Sequence, residues 1–104
     1  MKKHVLYEQN IISFIGDINY TSINSSNGSV SIYAKTLKKF ELEFSEQKQF
    51  VRVNKSVIVN LLFVNKMNED TIELCNGTIV KISRRRKKNL YEGENGVKKN
   101  HPKT

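Results

Sequence analysis

The chain predicts a mainly β domain: a compact antiparallel β-sandwich-like fold with one internal helix and a short C-terminal helix. Three observations carry this. Short runs rich in β-branched and aromatic residues recur, separated by clusters of Gly, Asn, Asp and Ser, the pattern of strands joined by turns. Asn76-Gly77 lies between two alternating runs, a strong two-residue hairpin signal. Apolar residues at helical spacing occupy one interior stretch, Leu37, Phe40 and Phe44.

Taken in order, Val5-Leu6-Tyr7 predicts a weak strand and Ile11–Ile15 a stronger one, broken by Gly16-Asp17. Tyr20–Asn24 and 29–34 alternate and should pair through the turn Ser25-Ser26-Asn27-Gly28. Thr36 is placed to cap a helix of about ten residues, its hydroxyl accepting a first-turn amide. Leu42 falls off the apolar stripe and is expected to be partly exposed. Phe50–Val53 reads as an alternating strand, while Val57–Val59 and Leu61–Val64 read as more fully buried ones. Thr71–Cys75 and Thr78–Ile82 should pair across Asn76-Gly77 in a type I′ turn. Ser83 can cap a basic helix from Arg84 to Tyr91, anchored by Leu90.

At 104 residues and 12.0 kDa the chain is one domain's worth. We expect a folded unit over 1–92 and a disordered basic tail over 93–104. From Gly93 onward Val97 is the one apolar residue, too little to offset ordering entropy. The longest apolar run, 57–64, is interrupted by Asn60 and falls well short of the roughly 20 residues of a membrane span. No signal-peptide core follows Met1-Lys2-Lys3, so a cytoplasmic protein without membrane partners is expected.

Catalytic signatures are absent. The sequence has no Gly-rich phosphate loop and no nucleophile elbow. Its histidines, His4 and His101, lie near the termini, and Cys75 is a lone cysteine best read as a small hydrophobe. No enzyme activity, cofactor or metal is expected.

Charge points elsewhere. The net charge is +8, which favours anionic partners. Residues 1–80 hold nine basic and eight acidic residues, whereas 81–104 hold nine basic and two acidic. Arg84-Arg85-Arg86-Lys87-Lys88 is the densest cluster. On a helix, Arg84, Lys87 and Lys88 share a side while Arg85 and Arg86 project elsewhere. Two polar segments join it as candidates. Asn54-Lys55-Ser56 sits at a turn between strands, and Asn19-Tyr20-Thr21-Ser22 leads into one. Asn can read adenine, Lys can read guanine, and Ser can donate to phosphate. Taken separately, each segment is also what an ordinary solvated turn or basic face looks like.

In this order the three segments resemble the LytTR-type DNA-binding domain family. The resemblance rests on Phe50-Val51-Arg52-Val53-Asn54-Lys55-Ser56-Val57-Ile58-Val59-Asn60, and on Thr71–Thr78 followed by Ile82-Ser83-Arg84-Arg85. Asn10-Ile11-Ile12, Asn19-Tyr20 and Thr36-Leu37 fall where that family has counterparts, so the match spans about residues 5–91. It implies a bacterial transcriptional regulator, often the output half of a response regulator. Such domains insert loops rather than a recognition helix into successive major grooves of double-stranded DNA. Carried over, the base-reading residues are Tyr20, Thr21, Ser22, Asn54, Lys55, Arg84 and Arg85. The phosphate contacts are Asn19, Ser56, Arg86, Lys87 and Lys88. Tandem binding on repeated sites is implied, with a homodimer as the other arrangement.

Two departures stand out. Asn54-Lys55 replaces a common His-Arg pair, and Lys does not substitute for Arg in a bidentate guanine contact. Arg86 replaces an aromatic residue, adding charge. No receiver domain precedes the module, which leaves open a free-standing regulator or the C-terminal piece of a longer one. The rival expectation is a protein-interaction module that pairs with a full-length regulator, through apolar edge strands or the Leu37/Phe40/Phe44 helix. RNA binding on an open sheet ranks below both, because paired RRM-type aromatics are missing.

Overall fold

The computed structural model describes residues 8–93, with the side chains of Glu8 and of 89–93 excepted. The predicted Val5–Tyr7 strand, the Leu90 anchor and the tail beyond Gly93 therefore lie outside the described residues. Within them, eight strands form two antiparallel sheets. The larger contains β1 (Ile11–Asp17), β2 (Tyr20–Ser25), β3 (Val30–Tyr33), β4 (Phe50–Asn54) and β5 (Val57–Asn60), ordered β3-β2-β1-β5-β4. The smaller runs β6 (Val64–Met67), β7 (Thr71–Leu74) and β8 (Ile79–Lys81). Helix α1 (Leu37–Glu43) links β3 to β4, and α2 (Arg84–Gly93) follows β8. Mainly β, antiparallel and two-sheeted, with two helices, the fold is the one the strand pattern predicts.

The larger sheet is the middle layer. Phe14, Ile23 and Ile58 on one face pack against Leu37 and Phe40 from α1 and Phe44 at its end. Period-2 alternation turns Val53, Val57 and Val59 to the other face, where they meet Ile72, Leu74, Val80 and Ile82. Phe14 is fully buried, its ring centroid 5.2 Å from those of Phe40 and Phe44 and 5.6 Å from that of Phe50. Tilted and edge-on aromatic pairs of this kind add about 0.5–1.5 kcal/mol each beyond the area they bury.

Four local expectations change. Gly16-Asp17 does not break β1, which continues to Asp17 and turns at Ile18-Asn19. A Cβ on Gly16 would lie 2.9 Å from the Leu37 Cβ, so glycine there permits close passage over α1. The helix is seven residues rather than ten, because Phe44 already leaves helical geometry at its C-terminus. Thr36 caps it as expected, accepting the Lys39 amide at 3.3 Å, and Leu42 is exposed.

Leu61-Leu62-Phe63 is a 3-10 turn rather than a buried strand, with Leu62 in solvent. Buried Asn60 accepts the Leu62 amide at 2.9 Å and donates to the Ile11 carbonyl at 2.7 Å, diverting the chain. Short apolar runs do not reveal such turns by periodicity.

The Asn76-Gly77 hairpin forms, but through a three-residue loop rather than a type I′ turn. Gly77 N–H donates to the Leu74 carbonyl at 2.9 Å, and Leu74 N–H to the Thr78 carbonyl at 2.8 Å. Gly77 takes φ +90°, which only glycine adopts without strain. Ser26-Asn27-Gly28 repeats this construction, with Gly28 at φ +91°. In both loops the Asn Oδ1 accepts the amide two residues on.

Candidate nucleic-acid interface

Strand register brings the three candidate segments to one end of the larger sheet. Asp17 faces Tyr20 across the β1–β2 turn, and Ile15 faces Val57. Gly16 N–H donates to the Ser56 carbonyl at 2.7 Å, so the β1–β2 tip lies against the β4–β5 turn. On the other side, Ser83 N–H donates to the Val53 carbonyl at 2.8 Å, which starts α2 beside the same turn. Ser83 caps that helix, its Oγ accepting the Arg86 amide at 3.2 Å. The sequence of tips is therefore Ile18–Tyr20, Asn54–Ser56, then Arg84-Arg85.

Their exposures differ. At the first tip Ile18, Asn19 and Tyr20 are exposed, with Ile18 at 85%. Thr21 is fully buried and donates its hydroxyl to the Lys35 carbonyl at 2.7 Å. Ser22 is half-buried one rung behind Tyr20, between Ile15 and Ile32 of the neighbouring strands. At the second tip Lys55 is exposed, and Asn54 and Ser56 are half-buried. The Asn54 amide is committed within the protein. It donates to the Lys81 carbonyl at 2.7 Å and accepts the Ser56 amide at 2.7 Å. Between the first two tips runs a groove of about 370 Å³, bordered by Asp17, Ile18, Lys38, Lys55 and Ser56.

The basic helix sorts its cations by direction. At 100° per residue, Arg84, Lys88 and Arg85 fill one continuous arc, and all three are exposed. Arg86 and Lys87 are half-buried and face acidic partners. Arg86 Nη1 lies 3.7 Å from Glu41 Oε2, and Lys87 Nζ lies 2.7 Å from Asp70 Oδ1. The grouping by side thus differs from the sequence expectation, since Lys87 is drawn away from Arg84 and Lys88. Hydrogen bonding and the charge of Lys87 hold the Asp70 carboxyl below the usual carboxylate range, helped by Lys81 and opposed by slight desolvation. Among the described residues, Lys55, Arg84, Arg85 and Lys88 have no ion pair. This end of the sheet therefore presents Lys55, Arg84, Arg85 and Lys88 without an ion pair, together with the Tyr20 hydroxyl and Lys38 on the groove.

Sequence reasoning missed three contributors. Arg52 lies in a run whose pattern speaks only for an alternating strand, Glu41 lies off the Leu37/Phe40/Phe44 stripe, and Gly16 is expected only to break a strand. Arg52 donates from Nη1 to Glu41 Oε1 at 2.7 Å, from Nε to the Asn54 carbonyl at 3.1 Å and from Nη2 to the Lys55 carbonyl at 2.6 Å. A lone arginine between apolar neighbours in Phe50–Val53 was the available signal.

The family model described as the LytTr DNA-binding domain matches residues 2–93. No curated protein matches the chain. Among solved structures, a LytTr DNA-binding domain from Bacillus cereus superposes with a TM-score of 0.72. The two share 18% identity over 81% of this chain and 80% of that one, so the likeness is one of fold. Among the described residues no helix is long and apolar enough to cross a membrane.

Proposed function

Because the chain belongs to the LytTR family of DNA-binding domains, we propose that it binds double-stranded DNA sequence-specifically and regulates transcription in a bacterial cell. Its three tips enter successive major grooves on one side of the duplex. The observation that carries this is the juxtaposition of those tips at the end of the sheet where the uncompensated cations lie.

Tyr20, Lys55, Arg84 and Arg85 are the outermost base readers, with Ser22 one rung behind. Thr21 and Asn54 serve the same recognition through the hydrogen bonds that hold their turns. Asn19, Ser56 and Lys88 meet phosphates. Arg86 joins them with Glu41 still beside it, and Lys87 by exchanging Asp70 for the backbone of the duplex. Lys and Arg displace counterions and supply affinity, while the tips supply discrimination. About six phosphate contacts correspond to a log–log salt slope near −5.

In-vitro selection from a random duplex library tests the reading, and a defined enriched sequence is the expected result. Lys55→Ala and Arg85→Ala should each cost roughly 1–3 kcal/mol at that site and relax base preference. Lys87→Ala should weaken all duplexes about equally. If the three variants lost affinity alike, without loss of discrimination, the division into readers and phosphate contacts would be wrong.

A second reading, pairing with a full-length regulator, draws on the open outer face of the β1–β3 meander. Ile15, Val30 and Ile32 are exposed there, beside the edge strand β3. The helix route is closed, since Leu37, Phe40 and Phe44 are buried in the domain's own core. This reading predicts that the selection enriches nothing.

A further inference from the structure

We infer that Arg52 is a positioning residue for base recognition, aiming Lys55 and tying its turn through Glu41 to the first turn of α2. The inference rests on the reading above that Lys55, Arg84 and Arg85 meet bases. The Arg52 side chain is 14% exposed, and its donors are taken by acceptors within the protein. Two of them take the carbonyls of Asn54 and Lys55. Those carbonyls belong to the two peptide planes flanking the Lys55 Cα. Fixing both planes fixes the backbone dihedrals of Lys55, and so the direction in which its side chain leaves the turn.

The third donor takes Glu41 Oε1, and Glu41 Oε2 faces Arg86. One carboxylate on α1 thereby links the turn to the basic helix. Asn54 braces the turn from the opposite side, through the Lys81 carbonyl and the Ser56 amide. A guanidinium presents its donors in a rigid planar fork, whereas a lysine ammonium is one centre on a flexible stem. Lysine at 52 keeps the charge and cannot hold both carbonyls and the carboxylate at once.

The test compares the full chain with its Arg52→Lys, Glu41→Gln and Lys55→Ala variants. Two duplexes serve as probes: the sequence that the unmodified chain enriches from a random library, and a base-scrambled counterpart. Affinity ratio, salt slope on the scrambled duplex and thermal unfolding are recorded, with binding measured where each variant is folded. Arg52→Lys should lower discrimination about tenfold, toward that of Lys55→Ala. Its affinity for the scrambled duplex should stay within about twofold, with the slope unchanged. Glu41→Gln, which keeps the side-chain shape, should lower discrimination about threefold.

Full discrimination in folded Arg52→Lys would overturn the inference. So would a shallower salt slope, which marks a direct phosphate contact. Should Arg52→Lys fail to fold, Glu41→Gln decides by the same criteria. Failure of the underlying reading is separately visible, because the unmodified chain would then enrich no sequence.

Discussion

The two rims of the domain are built on different plans. At the rim away from the candidate interface, the loops Ser26-Asn27-Gly28 and Cys75-Asn76-Gly77 carry no charge, and each is closed by its own asparagine. Buried Asn60 pins the same rim to the start of β1. At the opposite rim, local closures such as Asn54 Oδ1 with the Ser56 amide are joined by side chains that reach distant parts of the chain. Asn54 reaches Lys81, Arg52 reaches Glu41, and Lys87 reaches Asp70. The neutral rim closes its hairpin loops by local chemistry, with the Asn60 bond to Ile11 as a long-range brace behind them. The charged rim spends long-range polar bonds on fixing the direction of its tips. Damage to the first should therefore register in stability alone, and damage to the second in discrimination as well.

Asn60→Ala is the strongest test of that division. It leaves the buried Ile11 carbonyl and the partly buried Leu62 amide without their partner. An orphaned buried polar group costs about 1–3 kcal/mol. For a domain of this size, each kcal/mol lowers Tm by roughly 4–8 °C. Calorimetry should record that fall, while the affinity ratio between enriched and scrambled duplexes stays unchanged at temperatures where the variant is folded. A changed ratio would mean that the neutral rim also shapes recognition.

Gly16→Ala strikes the charged rim with a smaller stability cost. The added methyl meets the Leu37 Cβ at 2.9 Å, and overpacking of this kind costs about 1–3 kcal/mol. We expect the lower part of that range, because the β1–β2 tip ends in an open turn and can move outward. That movement strains the bond from Gly16 N–H to the Ser56 carbonyl, which sets one tip against the next. The contrast with Asn60→Ala is then direct: a smaller drop in Tm, accompanied by weaker discrimination. Intact discrimination with a lowered Tm would show that the spacing of the first two tips is not critical.

Which features were legible in the sequence follows the range of each contact rather than the rim it belongs to. Both Asn-Gly loops, the Thr36 and Ser83 caps and the apolar stripe of α1 were readable, because each is set by residues within a few positions of one another. The Asn60 turn was not, since it depends on a carbonyl 49 residues away. The three candidate segments were legible through their resemblance to a family and through charge. Burial of Thr21 and engagement of the Asn54 amide depend on Lys35 and Lys81, which the local sequence does not place nearby. Arg52 and Glu41 were invisible as a pair for the same reason: they meet because α1 packs on the larger sheet, not because of their spacing.

The smallest expected effect lies at the edge of the charged rim, where Asp70 holds Lys87 at 2.7 Å. Asp70→Asn removes the charge that competes with phosphate for that ammonium. Affinity for any duplex should rise about two- to fivefold, the scale of an exposed ion pair, and the salt slope should steepen by less than about 1. Discrimination should not move, because Lys87 is proposed to meet the backbone rather than bases. The acid limb of stability gives a second reading. Lys87 lowers the Asp70 pKa in the folded chain, so the pair stabilises the protein above the ordinary aspartate range. That contribution fades as pH falls through the depressed value, below about pH 4. Asparagine does not titrate, so Asp70→Asn should unfold with a flatter pH dependence in that window and match the parent's dependence above it. An unchanged duplex affinity together with a flattened acid limb would assign Lys87 to the fold alone and remove it from the phosphate-binding set.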